Sequence, residues 1–274
     1  MLSASGDPKN RERAPFILSA LKQFGETALL PMVGAVRNDG TVVQAIAISV
    51  LSAIESPVST DALCRAAISS RVPASAREIA RSTLNMRGLA TRDDIERRIF
   101  SRGCDYLEGK IPLPSDSNGK AIVWNWNYDQ KRLVSTTISK RDAAKYLSVD
   151  LTRDLYQLHK YNADYRNLHT ISVLEATKRV IGPNRKVLAQ EVSSYVDNLT
   201  SLDLDRALGD ALEKDLIAAA TGAAEVLGQI GDAGLVSATN GQYRNLVKAV
   251  VAGNRHLQFA ATQAITQLLS LIHI

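Results

Sequence analysis

Residues 219–232 read AATGAAEVLGQIGD. In this stretch, Ala223, Val226, Leu227 and Ile230 are spaced by three, one and three positions, so an α-helix places them on one face. The small alanine that opens the set lets a second helix approach closely. This spacing predicts a helix that packs against a neighbouring helix along a continuous stripe.

The same stripe recurs elsewhere in the chain at intervals of 33 or 38 residues. The other copies are Ala14, Ile17, Leu18 and Leu21; Ala47, Val50, Leu51 and Ile54; Ala80, Thr83, Leu84 and Arg87; and Ala261, Ala264, Ile265 and Leu268. Shorter apolar helices that pair with them are predicted at 28–37, 60–69, 204–212 and 243–252. One interval holds a single helical hairpin, which cannot bury both of its faces alone. We therefore predict stacked hairpins, an α-solenoid.

These residues resemble HEAT repeats, especially the short bacterial type also found in phycocyanobilin lyases, whose second helix reads V-R-x-x-A-x-x-A-L-x-x-I-G-D. Residues 223–232 match the latter half of that motif closely. Two copies keep the arginine of that motif, as Arg11 and Arg77. The other three copies replace it, with Gln44, Ala220 and Gln258. The resemblance covers about 1–102 and 202–268. It implies an all-α fold and a bacterial protein, and it implies little about activity.

The helical period stops between Gly103 and Ser139, where we predict a loop followed by a β-hairpin. Residues 121–127 and 132–138 are rich in Val, Ile, Trp and Thr and flank a short polar turn. Because strand side chains alternate, Trp124 and Trp126 fall on one face. A lone hairpin is marginal in water, so this face is expected to dock on a helix of the chain or on a partner.

A helical pair is predicted next, from Ser139 to about residue 159 and from about 164 to 181. Ser139 and Asp142 resemble a capping box at its start. The pair is similar to one tetratricopeptide-type hairpin, and residues 124–181 are similar to a non-repeat module of some large bacterial HEAT-repeat proteins. The predicted domains are 1–102, 103–139, 140–183 and 184–268. Residues 269–274, LSLIHI, resemble translated sequencing-adapter DNA, so we expect the natural chain to continue differently.

Composition narrows the class of protein further. The 274 residues are 45% hydrophobic with a net charge of +5, enough apolar material for a large core. No apolar run approaches the roughly 18 residues that span a bilayer, and residues 1–9 lack the apolar segment of a signal peptide. A soluble, by default cytoplasmic, protein is expected. The spacing of His159, His169, Cys64 and Cys104 suits neither a metal site nor a nucleophile, so we predict no catalytic residue, metal or cofactor.

Charge supplies the strongest functional hint. Residues 65–102 hold nine arginines, no lysine and four acids; the arginines are Arg65, Arg71, Arg77, Arg81, Arg87, Arg92, Arg97, Arg98 and Arg102. Arginine suits bidentate contacts with phosphates or carboxylates. Arg77 with Arg81, and Arg98 with Arg102, would each share a helix face. These four arginines either line a cationic groove or lie on a solvated face. On a solvated face they would make weak surface ion pairs, for example Arg98 with Glu96 or Asp94.

These features are compatible with three functions. The first is a non-catalytic scaffold that binds a protein partner, with Arg77, Arg81, Arg98, Arg102, Trp124 and Trp126 as the candidate interaction patch. The alternative is a nucleic-acid binder that resembles HEAT-like DNA glycosylases in outline and places the arginines on phosphates. The third is an enzyme similar to the phycocyanobilin lyases, although no residue here marks a bilin site.

Overall fold

The computed structural model describes residues 16, 18–38, 41–230 and 245–270. Over these ranges the chain is mostly α-helical, with one two-stranded antiparallel sheet. The chain divides into two compact units. Unit 1 comprises Met1–Arg102 and Ile111–Ala143, and unit 2 comprises Gly103–Lys110 and Ala144–Ile274.

Unit 1 is built from helical hairpins that pack side by side. After helical residues at 18–23 and a 3-10 turn, its helices are α1 (Leu29–Ala35), α2 (Val42–Ser52), α3 (Pro57–Ile68), α4 (Ala74–Met86) and the first part of α5 (Arg92–Glu108). Helix α1 pairs with α2 and α3 pairs with α4, while α2 also packs on α4. The side chains of Thr41 and Ser56 cap α2 and α3 at their N-termini.

The predicted repeat stripes lie at these contacts. Ala47, Val50 and Leu51 on α2 and Ala80 and Leu84 on α4 are fully buried. Equal spacing in the sequence therefore places equivalent helix faces in the core of unit 1. Ala14 and Ile17 of the first copy, like Arg11, lie outside the described residues.

The predicted β-hairpin is confirmed, with strands β1 (Lys120–Asn127) and β2 (Arg132–Ser139). The register sets Trp124 opposite Ser135. Strand β1 packs on α1, where a Cβ atom at Gly34 would lie 2.6 Å from the carbonyl oxygen of Trp124. Only glycine permits this approach, so the tryptophan strand docks on a helix of its own unit.

The loop expected to begin at Gly103 begins later, because α5 continues to Glu108. A Cβ atom at Gly103 would lie 2.8 Å from Cγ2 of Thr152. This glycine therefore marks a close contact inside unit 2 and does not end the helix, although glycine commonly does so.

Unit 2 continues α5 and contains the helical pair predicted after the hairpin. Its helices are α6 (Lys140–Leu158, from Ala144 onward), α7 (Ala163–Ile181), α8 (Ala189–Ser193), α9 (Ser201–Glu213), α10 (Ile217–Ile230), α11 (Asn245–Val250) and α12 (Arg255–Ser270). Helix α6 begins in unit 1, where the side chain of Ser139 accepts a hydrogen bond from the Asp142 amide at 3.1 Å, as the predicted cap requires.

Helix α10, which contains most of residues 219–232, lies at the centre of unit 2. It packs against α7, α9 and α12. Its residues Ala223, Val226 and Leu227 are fully buried, whereas Ile230 at its end is partly exposed. The following Gly231 and Asp232 lie outside the described residues, as do Leu271–Ile274 at the end of the chain.

Candidate functional site

Two arginines of the candidate interaction patch bind the same buried carboxylate in unit 1. Asp61 of α3 is almost completely buried. Arg98 Nη2 lies 2.8 Å from Asp61 Oδ1, and Arg102 Nε lies 2.9 Å from Asp61 Oδ2. The expectation that Arg98 pairs with Glu96 or Asp94 is therefore wrong, because Arg98 faces α3 across the helix contact. These two guanidinium groups neutralise a charge inside the unit.

Arg87 is also directed into the unit, although it occupies the fourth position of a repeat stripe. Its Nη1 donates to the hydroxyls of Ser59 and Thr60, both at 2.9 Å. Its Nη2 donates to the carbonyl oxygen of Ile54 at 2.8 Å and to that of Ser52 at 3.2 Å. The guanidinium thus supplies donors to carbonyl groups just at and beyond the C-terminus of α2, where positive charge is favoured.

Arg77 and Arg81 of α4 are the two arginines of the candidate interaction patch that have no carboxylate partner among the residues that the structure describes. Arg81 is exposed, and its Nε donates to the carbonyl oxygen of Ala67 at 3.2 Å. Elsewhere in the stretch, Arg92 pairs with Glu96 at 2.7 Å, and Arg97 pairs with Asp94 at 2.6 Å. Much of the arginine excess is therefore balanced within unit 1.

The tryptophan part of the predicted patch is held by the contact between β1 and α1. Trp126 is only 7% exposed, and Trp124 is partly buried. Arg37 donates to the Trp124 carbonyl at 3.3 Å and to the Asn125 side chain, while the Tyr128 hydroxyl donates to the Arg37 carbonyl at 2.9 Å. The hairpin therefore presents little tryptophan surface to a partner.

A concave groove with a mixed lining lies in unit 2, between α6, α7 and α8. This groove has a volume of about 560 Å³. Its apolar wall consists of Val149, Val173, Ala176, Val180 and Ile181. Tyr146, Thr177, Ser194 and Tyr195 add hydroxyl groups, and Asp150, Arg153 and Glu191 add charge. We refer to it as the α6–α8 groove.

The charged residues of the groove differ in how firmly they are held. Glu191 accepts from Arg185 Nη2 at 2.6 Å and from the Leu188 amide at 2.9 Å, so it is fixed by the start of α8. Arg153 Nε lies 3.8 Å from Asp154 Oδ1, which is too long for a hydrogen bond. That buried N–H has no hydrogen-bond acceptor among the described residues.

A buried histidine lies next to this charged group. His169 Nδ1 lies 2.9 Å from the Thr152 hydroxyl, and its ring stacks on Tyr156 with centroids 5.1 Å apart. Burial lowers the pKa of His169 to about 4. The backbone of Tyr195 opposes this shift, the charge of Arg153 adds to it, and the Asp154 and Asp150 carboxylates weakly oppose it. The imidazole is therefore neutral at pH 7 and serves the core of unit 2.

The remaining candidates for chemistry are dispersed. Cys64 is buried, and burial raises its pKa to about 12; burial also raises the pKa of Cys104. Over the described ranges, no group of three or more His, Cys, Asp or Glu side chains is placed to hold a metal ion. In the same ranges, no helix is both long and apolar enough to cross a membrane.

Comparison with known proteins identifies no relative: no family model, curated protein or solved structure matches the chain. The arginines and tryptophans that stand out in the sequence did not point to the residues of the groove.

One feature of the sequence does point to the groove. Val180 and Ile181 end α7 directly before Gly182-Pro183, and Val180 is 85% exposed, so an apolar pair stands where a polar helix end is usual.

Proposed function

We propose that the chain is a non-catalytic, HEAT-like repeat scaffold that binds a protein partner, and that the α6–α8 groove receives a segment of that partner. The observation that carries the proposal is the groove itself. It combines a continuous apolar wall with exposed large side chains at Tyr146, Val180 and Tyr195. A groove of this volume accepts a few side chains of a peptide.

The apolar wall supplies the binding energy in this proposal. Val149 on α6 and Val173, Ala176 and Ile181 on α7 are partly or fully buried, so a fixed surface underlies the groove. Burying apolar area contributes about 25 cal/mol per Å² before the costs of ordering the partner. The tyrosines add rigid side chains with hydroxyl groups, a kind of residue that often dominates interfaces.

In this proposal, the Arg153 side chain orients the bound peptide segment. This side chain lines the groove and is 26% exposed. The terminal nitrogens of its guanidinium would donate to a backbone carbonyl of a peptide lying in the groove. The same peptide would place apolar side chains on the α7 wall, so one extended or helical segment meets both requirements.

The test uses a library of random twelve-residue peptides displayed on phage and selected on the immobilised full chain. Selected peptides are expected to carry two or more apolar residues. Binding should fall about tenfold or more in Val180→Arg, because the new charge occupies the apolar wall. Leu202→Arg is the matched control: Leu202 is exposed in the same unit and does not line the groove.

A second variant separates loss of binding from loss of folding. Thr177→Trp fills the groove without adding a charge, and it should weaken the same peptides while the melting temperature stays within a few degrees. The proposal fails if no peptide is enriched. It also fails if the selected peptides bind Val180→Arg and Leu202→Arg as well as they bind the parent chain.

A nucleic-acid interface is a weaker hypothesis for the function of this chain. Binding along a phosphate backbone uses several unneutralised cations. In the predicted patch, Arg98 and Arg102 are already engaged with Asp61. Arg77 and Arg81 remain, and two cations provide little of the required charge.

A further inference from the structure

A second concavity, in unit 1, has a different chemical character from the α6–α8 groove. It measures about 350 Å³ and lies where the end of α3 meets α4 and the start of α5. Its lining consists of Ala67, Ile68, Arg81, Leu89, Ala90, Arg92 and Ile95. Arginine provides its charged groups and aliphatic side chains provide the rest. We refer to it as the arginine cleft.

The two arginines of the cleft are held differently. Arg92 Nε lies 2.7 Å from Glu96, so its charge is shared with a carboxylate of its own helix. Arg81 has no carboxylate partner among the described residues, and its Nε donates to the Ala67 carbonyl at 3.2 Å. That hydrogen bond anchors the guanidinium at the rim. The two terminal nitrogens remain for a ligand and suit the two oxygens of a carboxylate.

The lining next to Arg81 is apolar. Ile68 and Ile95 are buried, and Leu89 is partly exposed beside them. A ligand that only supplied negative charge would leave this surface uncovered. The cleft therefore calls for a group that carries a carboxylate and an aliphatic side chain a short distance apart.

We infer that the arginine cleft binds an acidic segment of a protein partner, with an Asp or Glu carboxylate on Arg81 and a neighbouring Leu, Ile or Val side chain on Ile68, Leu89 and Ile95. Phosphate-backbone recognition uses a run of cations and has no use for an aliphatic surface. The inference concerns unit 1 and does not depend on the α6–α8 groove. A chain with Val180→Arg keeps this second site.

The experiment is a titration of the full chain, followed by fluorescence anisotropy, with a panel of labelled twelve-residue peptides. Each peptide holds one Glu and one Leu, separated by zero to three residues, in a background of Gly and Ser. At least one spacing is expected to bind, and its Glu→Gln counterpart should bind about tenfold more weakly. Unlabelled octanoate tests whether a free fatty carboxylate competes equally well, and labelled dT20 tests nucleic acid.

Two variants and one control assign binding to the cleft. Arg81→Glu reverses the anchoring charge and should abolish binding. Ala90→Trp fills the cleft with the charge unchanged and should weaken binding about tenfold or more. Arg141→Glu is the matched control, because Arg141 is an exposed arginine of unit 1 that does not line the cleft.

Folding of each variant is checked by its thermal melting. The inference is overturned if no peptide of the panel binds at millimolar concentration, or if Arg141→Glu weakens binding as much as Arg81→Glu. Tighter binding of octanoate than of any peptide would also overturn it. So would tighter binding of dT20 that is lost in Arg81→Glu.

Discussion

The two units stabilise their buried polar groups with different mixtures of cations. In unit 1, arginines reach into the interior, where Arg87 serves carbonyl groups and two further arginines share Asp61. In unit 2, a buried lysine, Lys178, pairs with Glu225, while Arg179 pairs with the buried Glu175. The comparison shows that arginines in an arginine-rich stretch can hold helical hairpins together and need not form a binding surface.

The geometry of Arg87 explains why arginine suits unit 1. One planar guanidinium reaches two hydroxyls and several carbonyl groups at the end of α2, which a single ammonium group does less well. In unit 2, Lys178 Nζ lies 2.6 Å from Glu225 and 2.7 Å from the Arg185 carbonyl. Where the acceptors there are more spread, an arginine is again used, because Arg166 donates to two backbone carbonyl groups and to the Asp203 carboxylate. The residue type follows the number and spread of the acceptors.

The largest effect is expected at Lys178. Lys178→Met leaves the Glu225 carboxylate buried without its cation, so the free energy of unfolding should fall by about 3–5 kcal/mol in urea denaturation. The double variant Lys178→Met with Glu225→Gln removes both charges and should regain part of that loss. Equal stability of the single and double variants would contradict the assigned ion pair.

The next effect is the pH dependence that His169 gives to unit 2. Its pKa is about 4 in the folded chain and 6.5 in the unfolded chain, so the unfolded state binds more protons between these values. The free energy of unfolding should therefore fall by on the order of 3 kcal/mol as pH falls from about 7 to 4. His169→Gln should flatten this part of the pH profile. An unchanged slope would show that other groups cause it.

A smaller effect is expected for Arg87→Ala, which removes the donors at the end of α2. The free energy of unfolding should fall by about 2–3 kcal/mol, because carbonyl and hydroxyl groups that Arg87 serves lose a partner inside unit 1. Arg87→Lys should recover only part of the stability. Full recovery by lysine would mean that charge alone matters and would weaken the contrast between the units.

The smallest effect concerns reactivity and not stability. Burial raises the pKa of Cys64 to about 12, so its thiol should stay protonated at pH 8 and react with a disulfide reagent only after unfolding. Cys104 is partly exposed, and its pKa is also raised by burial, so it should react slowly. Stoichiometric labelling within seconds in the native chain would contradict the burial of Cys64.

Much of the fold could be predicted from local sequence. The stripes on α2, α4 and α10, the hairpin β1–β2 and the pair α6–α7 follow from periodicity, turn residues and capping, which act over a few residues. The end of α5 was placed too early, because Gly103 serves a contact with Thr152, and that contact joins residues far apart in the chain. Local rules contain no information about such contacts.

The candidate surfaces were less predictable for the same reason. Arg77 and Arg81 look the same in sequence as Arg98 and Arg102, and only the three-dimensional position of Asp61 separates the two pairs. The α6–α8 groove depends on the path of residues 188–195 beside α7, which no short pattern specifies. A sequence therefore reveals which groups could bind a partner, whereas packing decides which of them are already engaged.

The arginines that face Asp61 hold unit 1 together. Urea denaturation of Arg98→Ala/Arg102→Ala beside Arg77→Ala/Arg81→Ala tests this role most directly, because both variants remove two positive charges. We expect the free energy of unfolding to fall by about 3 kcal/mol or more in the first variant and by less than about 1 kcal/mol in the second. Equal, small losses would show that all four arginines are solvated, and would contradict this role.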